Sequence, residues 1–394
     1  MGIPSYAERM EHVSGSAVRE ILKLTQQPDM ISFGGGLPSA DSFPMEDLKT
    51  IINNLTENMT ASMLQYGETE GYRPLREEVA KFMATKGVHT TADHVLITSG
   101  SQQGLDLVAK AFINKDDKIV VESPTYLAAL QTFKMYQASF IEAPVDEEGV
   151  IPEELDCILR TEANVKLVYM IPSFQNPSGR TISAERRKAL MQVIQKYDVV
   201  LIEDAPYEDL KYTDAQYPSM KSMDTTGQVL YFGSFSKTVA PGFRVGYSIA
   251  EEPILSKMII GKQSCDLHVS IFSQMVMAEY LKRGLMPGHL KQINAEYANK
   301  RDLMLKTLEE TMPKAVTWTH PEGGLFLWVE LPEHMSTNNL FMKALEKKVA
   351  YVAGDSFYAA GEPHNAMRIN FSNATSENIV RGVRALADVI RENM

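Results

Sequence analysis

The stretch His94-Val-Leu-Ile-Thr-Ser-Gly-Ser-Gln-Gln-Gly-Leu-Asp-Leu-Val-Ala-Lys-Ala-Phe112 decides the fold class of this 394-residue chain. Residues 94–98 form a short apolar run that predicts a strand, and the apolar periodicity of residues 105–112 predicts a helix. The turn between them is rich in serine, glycine and glutamine, which suits a strand-to-helix connection. A strand that runs directly into a helix is the repeating unit of a parallel α/β sheet.

The same alternation continues through the middle of the chain. Further apolar runs predict strands at residues 118–122, 139–143, 165–171, 198–203, 229–233 and 245–250, with a helix over residues 184–197. Short apolar strands separated by helices indicate a sheet that is covered on both faces. We therefore expect a mostly parallel, seven-stranded sheet between helices, with ligands bound where its strands end.

The pattern changes after about residue 275. Long helices are predicted at residues 274–282 and 289–311, and alternating runs at residues 325–330 and 366–371 predict a further small sheet. We therefore expect an α/β large domain over residues 46–285 and a smaller α+β domain over residues 286–394, to which an N-terminal arm of residues 1–45 belongs.

Composition narrows the range of partners. The chain has 39 Lys and Arg residues against 50 Asp and Glu residues, a formal net charge of -11, which argues against a nucleic-acid or anionic-membrane surface. Its 8 histidines and 2 cysteines show no metal-ligand spacing, so no metal site is expected. No uninterrupted apolar run is long enough to cross a bilayer, and we expect a cytoplasmic protein.

The segment Ser234-Phe-Ser-Lys-Thr-Val-Ala-Pro-Gly-Phe-Arg-Val-Gly-Tyr247 is the strongest indication of chemistry. It places Lys237 among hydroxyl side chains and Arg244 after a Pro-Gly break. An arginine and two serines can neutralise and hydrogen-bond a phosphate, and a confined lysine can hold a phosphorylated aldehyde cofactor as a Schiff base. Taken alone, the segment is more simply interpreted as an ordinary polar loop.

Three other loops follow predicted strands with polar residues. Backbone N–H groups around Ser101 and Gln102 would favour an anion at a helix start, although such turns often use Gly and Ser for geometry alone. Prolines on both sides would hold Asn176 rigidly, and the alternative is a common Asn-Pro turn. Asp204, at the end of a buried strand, needs a cationic partner, either a protonated pyridine nitrogen or a structural lysine or arginine. Tyr207 lies close behind it.

Together these motifs resemble the class I/II aminotransferases, which are pyridoxal-phosphate (PLP) enzymes of fold type I. The resemblance covers nearly the whole chain in the family's order, and it rests on Tyr66, residues 99–103, Tyr126, residues 176–179, Asp204, Tyr207, residues 234–237, Arg244 and Arg368. Residues 14–22 and 34–44 are most similar to the branch of 2-aminoadipate, kynurenine and broad-range aromatic aminotransferases.

The resemblance implies a role for each residue of a cofactor site. Lys237 is expected to be the Schiff-base lysine, which also moves a proton between the substrate α-carbon and the cofactor. Asp204 would keep the pyridine nitrogen protonated. Asn176 and Tyr207 would hydrogen-bond the phenolic oxygen, and Tyr126 would stack on the ring. The phosphate would be held by Ser101, Gln102, Ser234, Ser236 and Arg244.

It also implies how the substrate is bound. Arg368 would grip the α-carboxylate through a bidentate pair, next to Asn176. The N-terminal segment would close over the substrate, with Gly36 at the α-carboxylate and Arg19 facing a distal carboxylate, and a solvated helix arginine is the alternative for Arg19. Tyr66 would reach the phosphate and substrate of the neighbouring subunit, so that the active site is complete only in a homodimer.

The expected reaction is transamination. An L-amino acid of aromatic, branched-chain or 2-aminoadipate type would pass its amino group through pyridoxamine phosphate to a 2-oxo acid, with 2-oxoglutarate expected, in a ping-pong mechanism. C–S lyases and other β-eliminating enzymes share the fold and the same lysine, aspartate and arginine, and they stay an alternative. A PLP-sensing regulatory domain is a further alternative, which the acidic charge disfavours.

Overall fold

The computed structural model describes residues 5–11, 15 and 29–394. Arg19, together with most of the motif at residues 14–22, therefore lies outside the described residues. Within the described part of the chain, no helix is both long and apolar enough to cross a membrane.

Seven of the predicted strands form one central sheet, and further strands of the described residues lie in smaller sheets. The strands are β1 (Ile31–Ser32), β2 (Val95–Thr98), β3 (Lys118–Glu122), β4 (Ser139–Ala143), β5 (Val145–Asp146), β6 (Gly149–Val150), β7 (Val165–Met170), β8 (Val200–Asp204), β9 (Val229–Ser234), β10 (Gly246–Ile249), β11 (Thr317–Trp318), β12 (Phe326–Glu330), β13 (Val349–Ala350), β14 (Val352–Ala353) and β15 (Ala366–Asn370). The central sheet has the order β2-β10-β9-β8-β7-β3-β4. Neighbouring strands are parallel except β10, which runs antiparallel to both β2 and β9. The mostly parallel, seven-stranded sheet is thus confirmed.

Helices pack against the sheet and bury its strands. They are α1 (Glu8–Glu11), α2 (Met45–Glu57), α3 (Arg73–Ala84), α4 (Ser101–Phe112), α5 (Leu127–Lys134), α6 (Pro152–Thr161), α7 (Ala184–Ile194), α8 (Glu252–Gln263), α9 (Ile271–Lys282), α10 (Met286–Thr311), α11 (Thr337–Glu346) and α12 (Ser376–Arg391). Helix α4 begins at Ser101 and not at Leu105 as predicted. Its first turn lines a cavity instead of the core, so the apolar periodicity begins only one turn later.

A second, antiparallel sheet lies in the C-terminal part of the chain, with the order β11-β12-β15-β14. The N-terminal arm joins this region, because β1 pairs in parallel with β13 and the Asn370 N–H donates to the Phe33 carbonyl over 2.8 Å. The Phe33 ring packs so closely on α12 that a Cβ on Gly382 would come within 2.5 Å of it. The domain boundaries at residues 45/46 and 285/286 stay a prediction, and these contacts support the assignment of the arm to the smaller domain.

The carboxyl ends of the parallel strands converge on one edge of the central sheet. β2, β8 and β9 end there, at Thr98, Asp204 and Ser234. The antiparallel β10 begins at the same edge, and a Cβ on its first residue, Gly246, would come within 2.8 Å of the Gly100 Cα atom. Glycine allows this close approach, which brings the loops after β2 and β9 together.

Candidate active site

A cavity of about 150 Å³ opens at this edge of the sheet. Its lining contains all of the predicted cofactor-binding residues except Tyr66, in the set Gly100, Ser101, Gln102, Tyr126, Ile171, Asn176, Asp204, Pro206, Tyr207, Ser234, Ser236, Lys237, Pro241 and Arg244. A larger cavity of about 570 Å³ around Trp318 and Trp328 contains none of the predicted site residues in its lining. Residues that are far apart in the sequence therefore share one small polar cavity.

Lys237 follows β9 and reaches into the cavity. Its Nζ atom donates a 2.7 Å hydrogen bond to the Gly36 carbonyl of the N-terminal arm. The side chain is partly buried and lines the cavity. Burial, together with the charges of Arg368 and Arg244, lowers the pKa of Lys237 to about 8. A lysine with this pKa is partly neutral near neutral pH, and the neutral amine is the form that acts as nucleophile or base.

Asp204 is buried at the end of β8. Its Oδ2 atom accepts a 2.8 Å hydrogen bond from the Tyr169 hydroxyl, whereas Oδ1 has no hydrogen-bond partner. Burial raises the pKa of Asp204 to about 7, and the nearby hydroxyls of Tyr169 and Ser101 act in the opposite direction, although the Ser101 hydroxyl does not reach hydrogen-bond geometry. Among the residues that the structure describes, no lysine or arginine pairs with this carboxylate, so the structural salt bridge considered as an alternative is not formed there.

Asn176 connects two other predicted residues. Its Nδ2 atom donates to the Tyr207 hydroxyl over 3.2 Å, and its Oδ1 atom accepts a 2.8 Å hydrogen bond from Nη1 of Arg368. Burial raises the pKa of Tyr207, so the hydroxyl keeps its proton and can donate it to a further group. The Tyr207 ring packs edge-on against Phe326, with ring centres 5.6 Å apart. Asn176 thus lies between a phenol and a guanidinium.

Arg368, on β15, is a buried guanidinium with only 2% of its surface exposed. Its Nη2 atom donates to the Gly34 carbonyl over 2.7 Å, and the guanidinium lies 4.2 Å from the centre of the Phe326 ring and 5.1 Å from that of Phe357. Its Nε atom has no partner. No carboxylate of the described residues pairs with it, and burial lowers its pKa to about 10. A buried cation without an anion costs free energy, which fits a site for a carboxylate ligand.

The loops after β2 and β9 bring a second set of anion-binding groups together. The first N–H groups of α4, from Ser101 on, have no acceptor within the helix, and the Ser101 hydroxyl is buried without a partner. Arg244 has a left-handed backbone, with φ 55°, and its guanidinium donates to the Ser99 carbonyl over 3.0 Å and to the Ser236 hydroxyl over 3.5 Å. A Cβ on Gly100 would come within 2.8 Å of this guanidinium. The glycine therefore lets a cation lie beside the helix N-terminus.

Of the predicted site residues that the structure describes, Arg368, Tyr66 and Gly36 do not line the cavity, and Arg368 adjoins it through its hydrogen bond to Asn176. Tyr66 is 79% exposed and packs edge-on against His268, with ring centres 5.8 Å apart. Gly36 is held next to the cavity by the hydrogen bond from Lys237. Arg19 lies outside the described residues. The structure of this chain therefore brings Gly36, but not Tyr66, into contact with the other predicted residues.

The donor set fits PLP. A guanidinium, free N–H groups and an unpaired hydroxyl suit a phosphate, and a lysine with a lowered pKa suits an aldehyde. A buried carboxylate with one unpaired oxygen suits a protonated pyridine nitrogen. Ser101 Oγ and Asp204 Oδ1 are both buried, unpaired atoms of the residues that line the cavity. When bound, PLP supplies the electron sink that makes the α-hydrogen of an amino acid acidic.

Comparison with known proteins identifies the family. Residues 28–386 match the family described as aminotransferase class I and II. The chain is 43% identical to aromatic-amino-acid aminotransferase 1 of Thermococcus litoralis, over 99% of this chain and 94% of that protein. It is 37% identical to the 2-aminoadipate transaminase of Thermus thermophilus, over 96% of this chain and 94% of that protein. The crystal structure of the Pyrococcus horikoshii kynurenine aminotransferase in complex with PMP matches with a TM-score of 0.95 and 41% identity, over 99% of this chain and 97% of that chain.

The chain belongs to the aminotransferase class I and II family. The fold type I architecture, the dependence on PLP and the transaminase class that the sequence predicted are thereby confirmed. The named relatives support the transamination of amino acids. The roles of the individual residues stay predictions.

Several contacts of the site were not predicted from the sequence. Tyr169 lies in a continuous apolar strand, where a tyrosine is readily counted as core. The one signal that could have identified it is its hydroxyl, because a buried phenol needs a hydrogen-bond partner. The Phe326 and Phe357 rings against Arg368 gave no such signal, since each belongs to an ordinary apolar run.

Proposed function

We propose that the enzyme transfers the amino group of an L-amino acid with an aromatic, branched-chain or 2-aminoadipate side chain to 2-oxoglutarate, in a ping-pong cycle. The observation that carries this proposal is the buried guanidinium of Arg368. It has no carboxylate partner among the described residues, and it bonds Asn176 in the lining of the cavity that contains Lys237. An amino acid and a 2-oxo acid share an α-carboxylate, so one guanidinium serves both halves of the cycle.

The donor class is supported by the relatives. Two of them, at 43% and 37% identity, are an aromatic-amino-acid aminotransferase and a 2-aminoadipate transaminase. The aromatic rings of Phe326 and Phe357 beside Arg368 are also compatible with an apolar or aromatic side chain on the substrate.

We propose that Lys237 would hold the cofactor as an imine at its aldehyde carbon, with release of water, and would act as the general base once the amino group of the substrate has displaced it. Its pKa of about 8 gives a substantial neutral fraction near neutral pH. As the base, Nζ would take the proton from the substrate α-carbon and return it to the former aldehyde carbon of the cofactor. No net proton is gained or lost in this step. The charges of Arg368 and Arg244 favour the neutral amine.

The other cavity residues are proposed to orient the cofactor. Asp204 pairs with the ring nitrogen through Oδ1, because Tyr169 already occupies Oδ2. Asn176 and Tyr207 hydrogen-bond the phenolic oxygen, and Tyr126 stacks on the ring. Ser101, Gln102, Ser234, Ser236 and Arg244 hold the phosphate, with Gln102 contributing its backbone N–H since its side chain donates to Thr132 over 2.5 Å.

We also propose a homodimer in which each chain lends Tyr66 to the active site of its partner. Tyr66 has large exposed apolar residues close to it in the chain and in space. Leu64 is 78% exposed and Leu267, which adjoins the His268 that contacts Tyr66, is 46% exposed. Grouped exposed apolar side chains mark protein interfaces. Because Tyr66 does not line the cavity of its own chain, a second copy gives its hydroxyl a route to a phosphate site.

A donor panel tests the proposed substrates. PLP-loaded enzyme is mixed with 2-oxoglutarate and with phenylalanine, leucine, 2-aminoadipate or aspartate in turn, and glutamate formation is followed. We expect kcat/KM to be highest among the first three donors, whereas a preference for aspartate contradicts the proposal. Parallel double-reciprocal plots are expected for a ping-pong cycle, and intersecting plots exclude it. Pyruvate released from β-chloroalanine faster than glutamate forms from any donor would favour elimination.

A further inference from the structure

We infer that four residues, Gln103, Lys262, Asp266 and His268, form a hydrogen-bonded network that positions the Tyr66 of one subunit for the active site of its partner. The same network ties that tyrosine to the phosphate loop of its own subunit. None of the four residues lines the active-site cavity. This interface network rests on the homodimer proposed above.

The interface network begins in the loop that follows β2. Gln103 lies in the first turn of α4, beside the residues proposed to hold the phosphate. Its Oε1 atom accepts a 2.8 Å hydrogen bond from the Ser99 N–H and a 2.7 Å hydrogen bond from Nζ of Lys262. This one side chain therefore fixes the loop and joins it to α8.

Lys262, which is 0% exposed, is the centre of the network. Its Nζ atom donates to both carboxylate oxygens of Asp266, over 2.8 and 3.0 Å, and Nε2 of Gln103 donates to Asp266 Oδ2 over 2.7 Å. Burial lowers the pKa of Lys262, and Asp266 acts in the opposite direction. The three side chains hold one another in place, because moving any one of them leaves a polar group without its partner.

A tight turn at Leu267 connects Asp266 to His268, which contacts Tyr66. Leu267 has a left-handed backbone with φ 65°, and the His268 N–H donates to the Asp266 carbonyl over 2.8 Å. This tight turn sets the direction of the His268 side chain relative to the ion pair. The turn is strained for a leucine, so the ordered residues on either side must hold it.

His268 contacts the Tyr66 segment in two ways. Its Nδ1–H donates to the Val269 carbonyl over 2.8 Å, which leaves Nε2 free to accept a 3.3 Å hydrogen bond from the Gly67 N–H. The imidazole also packs edge-on against the Tyr66 ring, at 5.8 Å and 85°. A Cβ on Gly67 would lie 2.4 Å from Ile271, so the segment is pressed against the start of α9.

The contacts with His268 matter for the orientation of Tyr66 because the Tyr66 side chain is largely exposed. Since 79% of this residue is exposed, its direction depends on the few contacts that its own chain makes, and His268 provides both a ring contact and the adjacent backbone bond. A shift of the phosphate loop would therefore act on Gln103 and, through the hydrogen bond to Asp266, on His268. The cofactor sites of the two subunits are therefore coupled through Tyr66.

PLP binding to the dimeric enzyme tests this inference. We expect His268→Ala to raise the PLP dissociation constant about tenfold, the size of one lost hydrogen bond, and about as much as Tyr66→Phe. His268→Gln, which keeps an acceptor, should recover part of the affinity, and the exposed His89→Ala should leave it unchanged. Because both changes act through the same side chain, the double variant should be no weaker than either single variant, whereas additive losses overturn the inference.

A mixed dimer shows in which subunit His268 acts. In a heterodimer of a Lys237→Ala chain and a His268→Ala chain, the one site that retains Lys237 receives its Tyr66 from the chain with intact His268. Borohydride-trapped PLP, which only that site yields, should therefore titrate with wild-type affinity. Weak binding at that site would place the effect of His268 within its own subunit and overturn the inference.

Two results distinguish failure of the homodimer proposal from failure of the interface network alone. If Tyr66→Phe leaves PLP binding unchanged, or if sedimentation shows a monomeric enzyme, the homodimer and the interface network fail together. If Tyr66→Phe weakens PLP binding and His268→Ala does not, only the interface network fails.

Discussion

Tyr169 and Asp204 share one 2.8 Å hydrogen bond, which orients a buried carboxylate and leaves its second oxygen unpaired. A carboxylate in this position is destabilising on its own account. The free-energy cost of burying the carboxylate falls when a cation binds beside the unpaired oxygen. Part of the affinity for a cationic ligand is therefore built into the folded protein before the ligand binds.

Replacing Asp204 should stabilise the enzyme once its cofactor has been removed. Burial raises the pKa of this carboxyl from 3.8 to about 7, so between these values the folded state holds more protons than the unfolded state. The contribution to stability is present below the lower value and is lost as pH rises to the higher one. We expect Asp204→Asn to raise the free energy of unfolding by about 2–4 kcal/mol at pH 8.

Urea titration of the cofactor-free proteins measures this effect, and the gain should shrink as the pH falls toward 5. The control is Asp198→Asn, on the surface before β8. Equal free energies of unfolding for Asp204→Asn and wild type at pH 8 would show that the buried carboxylate does not destabilise the folded protein. The same variant should lose most of its activity, since an amide cannot neutralise a protonated ring nitrogen.

Lys237 should be the residue that carries the cofactor. Borohydride treatment of the PLP-loaded enzyme is expected to attach PLP to the peptide that contains Lys237, and mass spectrometry of a digest identifies that peptide. Lys237→Ala should yield no labelled peptide and should lower kcat by at least about 10³-fold, since both nucleophile and base are lost. Lys257→Ala, on the exposed side of α8, is the control. A label on any other lysine in the wild-type enzyme refutes the assignment.

Arg368 should determine the binding of the α-carboxylate. Arg368→Lys keeps the positive charge but loses the planar pair of donors, and we expect kcat/KM for every donor to fall about 100-fold, with most of the change in KM. The absorbance of bound PLP should be unchanged, because the guanidinium is not proposed to touch the cofactor. The exposed Arg160→Gln provides a comparison of equal charge loss for an Arg368→Gln variant. A KM that stays at the wild-type value argues that the carboxylate binds elsewhere.

Glu122 should make the stability of the enzyme pH-dependent. Its buried Oε2 atom accepts hydrogen bonds from the Ile171 N–H over 2.8 Å and from Nε2 of Gln175 over 3.3 Å, and burial raises its pKa from 4.5 to about 8. Stability from this group is complete below pH 4.5 and is lost as pH rises to 8. We expect Glu122→Gln to become more stable than wild type by about 2 kcal/mol at pH 8.

Denaturant titrations of the PLP-loaded enzymes at pH 5, 6.5 and 8 follow this difference. The gap between Glu122→Gln and wild type should widen with pH, and exposed Glu154→Gln should follow wild type throughout. A gap that is constant with pH would show that Glu122 does not change its protonation between folded and unfolded states.

The central sheet and most of the cavity could be predicted from the sequence for one reason. Each strand is a short apolar run, and the polar residues that follow it must lie at the same edge, because parallel strands end together. Asp204 after β8 and Lys237 after β9 are found in this way. The order of the motifs along the chain then limits the possible chemistry to that of one family.

The remaining features depend on contacts between distant segments. The hydrogen bond from Tyr169 to Asp204 joins two adjacent strands, and no local sequence pattern predicts it. That Arg368 lacks a carboxylate partner is a property of everything packed around it. The exposure of Tyr66 and its contact with His268, 202 positions away along the chain, depend on how α9 packs beside the loop that precedes α3. Contacts of this kind become visible only in the folded structure.

The hydrogen bonds from Lys237 to Gly36 and from Arg368 to Gly34 have a joint consequence. Both cations donate to carbonyl groups of one short piece of the arm, so an aldehyde carbon on the lysine and a carboxylate on the arginine each compete with the arm for its anchor. Cofactor attachment at Lys237 and carboxylate binding at Arg368 are therefore each expected to weaken one of the two bonds that hold the arm. A fluorophore on a cysteine introduced at Leu37, which is 47% exposed, would report this change without any turnover once the exposed Cys157 and Cys265 have been replaced by serine.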